Sequence, residues 1–167
     1  MAILPIRTYP DPVLRKPCCD AQPGSDAVRK LAEEMLETMY SAPGIGLAAP
    51  QVGLNMRLIV VDVGSALGQR DPHVLLNPSI TASAESIAFE EGCLSLPEFT
   101  QEVERARVVQ VSYTDLEGNR RSLLAEDLFA VTLQHEIDHL NGRLLLDYAS
   151  LVRRDMYRRK ARKQKAL

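Results

Sequence analysis

Two histidines four residues apart, His135 and His139, stand in the stretch LQHEIDHLNG (Leu133–Gly142) with Glu136 between them. On an α-helix, residues four apart lie on one face, one turn above the other. Such a pair can bind a divalent cation through two imidazoles while the intervening glutamate moves protons for an attacking water. The same spacing also occurs in ordinary core or surface histidines, so a third ligand has to decide. A histidine three residues after Gly142, as in one peptidase pattern, is excluded because Leu145 stands there. A downstream carboxylate is a weak option: no glutamate follows Glu136, and beyond His139 only Asp147 and Asp155 remain. His73 lies in RDPHVLL, a loop entering a strand, where a structural role fits better. Cys93 in EEGCLSLP is the stronger candidate, since Gly92 permits close backbone approach and Pro97 is expected to interrupt the extended segment. A thiolate with two imidazoles leaves a fourth position open for water, which marks a catalytic site; without the helix motif, Cys93 would be a small buried hydrophobe.

The elements that must position these residues follow from periodicity. Val28, Leu31, Ala32, Met35, Leu36 and Met39 recur at helical spacing, with Ser25 or Asp26 as cap and Pro43-Gly44 as stop. Arg57–Val63 is expected as a buried strand, and Arg105–Asp115 as a second one that turns at Gly118 into a returning strand, RRSLLAE. A helix starts at Asp127, carries Leu128, Val131, Thr132 and Leu133 into the histidines, and stops at Gly142. Residues Ser65–Asp71 suggest a surface loop, and a last helix is expected from about Tyr148. The order predicts an α+β fold, mostly antiparallel sheet packed around the central histidine helix, with an N-terminal and a C-terminal helix. Val131 and Leu128 share the face of His135 and offer an apolar wall beside a metal, with plain core packing as the alternative.

The 167 residues, 46% hydrophobic, fit one domain able to bury a core without disulfides. Three cysteines, of which Cys18 and Cys19 are adjacent, suggest reduced thiols. No apolar leader and no run of about 18 apolar residues occurs, so a cytoplasmic protein with no membrane partner is expected. The net charge of −2 is unevenly spread: residues 153–167 hold eight basic residues and one acid, whereas the rest of the chain is acidic. That basic tail is either a solvated helix end or an electrostatic contact for nucleic acid or another acidic partner.

GIGLAAPQ (Gly44–Gln51), EGCLS (Glu91–Ser95) and QHEIDH (Gln134–His139) together closely resemble, in order and separation, the three signature motifs of the peptide deformylase family. YPDPVLRKPC (Tyr9–Cys18) resembles that family's N-terminal segment, so the resemblance covers nearly the whole chain. It implies a hydrolase of co-translational N-terminal processing, which removes formyl from the formyl-methionine of nascent peptides and releases formate. On this resemblance Cys93, His135 and His139 hold the metal, and Glu136 is the general acid/base. Gln51 and the backbone N–H of Leu94 stabilise the oxyanion, and Gly46 contacts substrate through its backbone. Ile45 and Phe89 complete the methionine pocket with Val131 and Leu128, and Glu91 pairs with Arg105 as support. The family's metal is commonly Fe2+, with Zn2+, Ni2+ or Co2+ able to take its place; the residues alone specify a borderline divalent cation with sulfur and nitrogen ligands.

The chemistry implied is metal-assisted hydrolysis. The cation would lower the pKa of a water from about 15.7 to about 7, and Glu136 would take its proton and return it to the leaving amine. The chain departs from the pattern after EGCLS, where the run LPEFTQEVER lacks the basic residue that some members carry shortly after this motif. The tail resembles a C-terminal helix that in some members docks on the ribosome. Rival readings are a metallopeptidase cutting internal bonds and a metal-stapled adaptor for ribosomal RNA; product analysis separates the first, and an exchangeable water on the metal the second.

Overall fold

The structure, a computed structural model, describes residues 2–166. Met1 and Leu167, the outermost residues of the expected domain and tail, lie outside the described residues. In chain order the elements are α1 (Asp26–Ser41), β1 (Gly46–Ala48), β2 (Leu58–Val61), β3 (His73–Ala84), β4 (Ile87–Cys93), β5 (Leu96–Arg105), β6 (Val108–Thr114), β7 (Arg120–Glu126), α2 (Asp127–Leu140) and α3 (Leu151–Ala166). Short 3-10 turns at Pro12–Arg15, Ala49–Val52, Ser65–Leu67 and Leu145–Tyr148 connect them.

Five strands form one antiparallel sheet in the order β1-β2-β3-β6-β7, and β4 and β5 form a separate antiparallel ribbon. Successive residues of a strand point to opposite faces, which explains why all four residues of β2 are buried. Leu58 and Val60 pack with Val28, Met35 and Met39 of α1. Ile59 and Val61 pack with Ala130, Leu133 and Ile137 of α2. The sheet is thus covered by α1 on one face and by α2 on the other, and each fully buried Leu contributes about 1.5–3 kcal/mol of apolar transfer. A third cluster joins Leu14, Leu96, Phe99, Val103 and Leu144–Leu146, closing the ribbon onto the region after α2.

The expected caps are present. Ser25 Oγ accepts from the Val28 N–H at the start of α1, and Asn141 ends α2 before Gly142 at φ +74. A Cβ on Gly142 would collide with the Arg15 carbonyl, so only glycine fits there. Gly118, at φ +92, makes the expected turn between β6 and β7.

Three expectations are corrected. The strand expected over Arg105–Asp115 is two strands of different sheets: Arg105 ends β5, and β6 begins at Val108. Pro97 does not interrupt the extended segment but lies inside β5, which can tolerate a missing N–H because the ribbon has only two strands. The last helix starts at Leu151, after a 3-10 turn that contains Tyr148. Among the described residues no helix is long and apolar enough to cross a membrane.

Candidate active site

α2 carries His135, Glu136 and His139, and its Leu133, Ile137 and Leu140 anchor it to the sheet. The ribbon supplies Cys93 at the end of β4, where a bulge between Gly92 and Cys93 precedes the tight turn through Leu94 and Ser95. The segment after α1 supplies Ile45, Gly46 on β1, and Gln51 on the 3-10 turn.

Donor atoms of Cys93, His135 and His139 converge within 4.8 Å of one another. Cys93 Sγ lies 3.4 Å from His139 Nε2, and the two imidazole rings sit edge to face with centroids 5.1 Å apart. His135 Nδ1 is 2.8 Å from Glu91 Oε1, which leaves its other ring nitrogen for the cluster. Glu91 is held in turn by Arg105, whose Nε and Nη2 donate to its two oxygens at 2.8 and 2.9 Å. Arg105 Nη1 donates to Asp138 Oδ2 at 2.7 Å, and the Tyr148 hydroxyl donates to the same oxygen at 2.6 Å. The chain of contacts from Tyr148 to His135 fixes the ring from behind. His139 Nδ1, also buried, has no hydrogen-bond partner.

Glu136 is 4% exposed and its Oε1 lacks a partner. Burial pushes its carboxyl up to about 7, with His135 and Arg105 working the other way. Burial also works against ionised Glu91, but Arg105 and His135 outweigh it and hold that carboxyl below its usual range. In the metal-free site burial disfavours charge on both histidines. Hydrogen bonds that the His135 ring donates to Cys93 and Glu91 override it there, and its pKa rises, while His139 falls well below its usual value.

Gln51 is 2% exposed. Its Oε1 accepts from the Ala48 N–H at 3.0 Å, so its amide nitrogen must face Ser95 Oγ at 3.1 Å and Cys93 Sγ at 3.7 Å. Gly46 passes so close to α2 that a Cβ there would lie 2.5 Å from Glu136 Oε2.

These residues surround a cavity of about 480 Å³. Ile45, Gly46, Gln51, Phe89, Cys93, Leu94, Leu128, Val131, His135 and Glu136 all line it, so the expected site residues come together around one opening. His139 does not line it; at 1% exposure it lies beneath the floor. His73 lies away from the cluster, its ring tilted against Phe129 at 4.9 Å between centroids and its Nε2 3.3 Å from Asp71 Oδ2. Ser95, Thr132, Phe99, Asp138 and Tyr148 were not anticipated. Asp138 and Thr132 each stand one helical turn from His135, and Ser95 lies within the EGCLS motif; Phe99 and Tyr148 carry no local signal.

A family model described as polypeptide deformylase matches residues 3–155. A peptide deformylase of Desulfotalea psychrophila is 49% identical over 98% of this chain and 97% of its own length. One from Rhizobium meliloti is 48% identical over 93% and 90%. Among solved structures, a peptide deformylase from Legionella pneumophila superimposes with a TM-score of 0.90 at 41% identity, covering 99% of this chain and 96% of its own. One from Ehrlichia chaffeensis in complex with actinonin gives 0.93 at 35% identity, covering 100% of both chains.

Proposed function

The chain belongs to the polypeptide deformylase family of enzymes, and from that premise we propose that it hydrolyses the formyl group from N-terminal formyl-methionine of nascent polypeptides by metal-assisted catalysis. The observation that carries the reading is a sulfur and two imidazoles converging beside a buried glutamate whose Oε1 has no partner, at the inner end of one cavity.

The donor set fits a borderline divalent cation, with Fe2+ proposed in the cell. Cys93 Sγ and the two imidazoles would hold it, and Glu91 on His135 Nδ1 sets the tautomer that ligation requires. When bound, such a cation acidifies a water and polarises the formyl carbonyl. Glu136 takes the proton that the water gives up and passes it to the methionine nitrogen as the C–N bond breaks. An oxygen ligand or water has room beside Glu136 because Gly46 carries no side chain to fill that gap. The Gln51 amide, held by Ala48 and Ser95, donates to the oxyanion together with the Leu94 N–H. One such donor is worth about 2.7–4 kcal/mol in the transition state. Ile45, Phe89, Leu128 and Val131 receive the methionine side chain, and the described chain works as one catalytic domain.

Formate release from a formyl-methionyl peptide, by protein purified without oxygen and checked for metal content, tests the reading. Release that Cys93→Ser abolishes together with bound metal is expected; no release by metal-loaded protein would overturn it. We also propose a cytoplasmic setting with the ribosome as partner of α3, supported by exposed Arg158, Arg162 and Lys163 on that helix. Salt-dependent co-sedimentation with ribosomes should vanish on deletion of residues 153–167.

A further inference from the structure

A peptide whose methionine side chain fills the cavity must leave through its open side. The exposed residues lining that side are Pro43, Phe89, Glu90, Gly92, Glu98 and Thr100, and the two that carry charge are both glutamates. Neither Lys nor Arg lines the cavity at any depth. At its buried end the cavity is lined by Glu136, whose Oε1 is buried without a hydrogen-bond partner.

Glu98 is held in an unusual way. Its φ of +62 is in the left-handed region, which a non-glycine residue rarely adopts. Its Oε2 accepts from Lys160 Nζ of α3 at 2.6 Å. The helix is seated over this stretch of β5 by its neighbours one and two turns away. The Tyr157 hydroxyl donates to the Pro97 carbonyl at 3.2 Å, and its ring meets Phe99 edge-on at 5.1 Å. Arg153 donates to the Thr100 carbonyl at 2.8 Å and lies over the Phe99 ring. Lys160 is therefore delivered to Glu98 by the packing of a whole helix. Glu90 has no such cation: among the described residues it forms no salt bridge, and the residue opposite it on the ribbon is another acid, Glu102.

We infer that Glu98 determines substrate specificity by charge, favouring peptides with Lys or Arg just beyond the methionine over those with Asp or Glu, and that Lys160 masks it until a substrate cation takes its place. The inference rests on the deformylase reading and names what that enzyme selects. Exchange of one ammonium for another at an exposed carboxylate is nearly balanced, because exposed ion pairs are weak. The Lys160–Glu98 pair, with half or more of both side chains exposed, is of that kind. Glu90 adds a constant negative field at the same opening, so an acidic side chain is repelled even while Lys160 stays in place.

The test compares formate release from formyl-Met-Lys-Lys, formyl-Met-Ala-Ala and formyl-Met-Glu-Glu amides by the metal-loaded full chain. The wild-type kcat/KM should favour the lysine over the glutamate peptide by about tenfold at low salt, shrinking to about twofold near 0.5 M salt as exposed charges are screened. Glu98→Gln should reduce that ratio about threefold, mainly through KM. Lys160→Met should raise it about threefold, and Lys160→Arg should return it to the wild-type value. A ratio unchanged in Glu98→Gln would overturn the specificity role, and one unchanged in Lys160→Met would overturn the masking. No formate from any of the three peptides would instead reject the deformylase reading, so the two failures are distinct.

Discussion

Glu91 and Glu136 are both almost wholly buried, at 6% and 4% exposure, and both lie against His135 in sequence or in space. Their surroundings drive them in opposite directions. Glu91 meets a bidentate guanidinium and an imidazole, so its charge is compensated on both oxygens and its pKa falls. Glu136 has one oxygen with no partner, and desolvation lifts its carboxyl to about 7. A buried carboxylate paired on every side is a fixed strut, whereas one poised near neutrality can accept and release a proton. The contrast separates support from chemistry more sharply than distance from the Cys93–His135–His139 cluster does.

The largest expected effect comes from making Glu136 unable to carry a proton. Glu136→Gln should lower kcat by roughly 10²–10⁴-fold while metal content stays unchanged. Loss of metal in that variant would mean that Glu136 is a strut after all. Next comes an attempt to make Glu91 resemble Glu136. Arg105→Met leaves the Glu91 charge buried with only His135 beside it, which should cost about 3–5 kcal/mol of stability. Urea unfolding at pH 8 would measure it, and a loss under about 1 kcal/mol would show that the buried pair is not a support.

The pH dependence of metal-free protein gives the third and somewhat smaller effect. The Glu136 pKa is raised from 4.5 to about 7, so between those values the folded chain holds a proton that the unfolded chain has released. Stability must then fall as pH rises through that window, by about 3 kcal/mol from this group. Glu91 has the opposite sign: its stabilisation is present above its unfolded pKa and is lost as pH falls through its lower folded value. His135 and His139, shifted in opposite directions beside it, add their own pH dependence, so the wild-type minus Glu136→Gln difference is the quantity to follow. A difference that is flat from pH 4.5 to 8 would contradict the unpaired state of this carboxylate.

How legible these two glutamates were differs for physical reasons. α1 and α2 could be read because one apolar face repeats every 3.6 residues, and β2 because a strand covered on both sides is apolar throughout. Glu136 was visible within its helix motif. The ribbon was not: β5 buries Leu96, Phe99, Val103 and Arg105 at uneven spacing and ends that face on a charge, so no period of two shows. Only the family resemblance suggested the partner of Glu91. Asp138 and Tyr148, which complete the support, become meaningful only when a non-local contact brings Arg105 to them. Ser95 was read as part of a motif, and its hold on Gln51 depends on a fold-back that no local pattern encodes.

The smallest effect tests whether the strut acts on the metal as well as on the fold. Glu91→Gln keeps an acceptor for His135 Nδ1 but removes the negative charge that makes the imidazole a better donor. Outer-shell changes of this kind typically cost 10–100-fold in metal affinity, so about tenfold is expected when a hydrogen bond survives. Arg105 would then face a neutral partner and keep only Asp138 as an anion, which should make this variant less stable than wild type but more stable than Arg105→Met. Metal competition with a chelator at fixed pH reads the affinity, and urea unfolding of the metal-free protein reads the fold. If affinity is unchanged while stability drops, Glu91 serves Arg105 and the fold alone. If both fall together, one carboxylate links the buried ion pair to the electron density at His135, and the cluster depends on a charge that reaches it through the His135 Nδ1 contact alone.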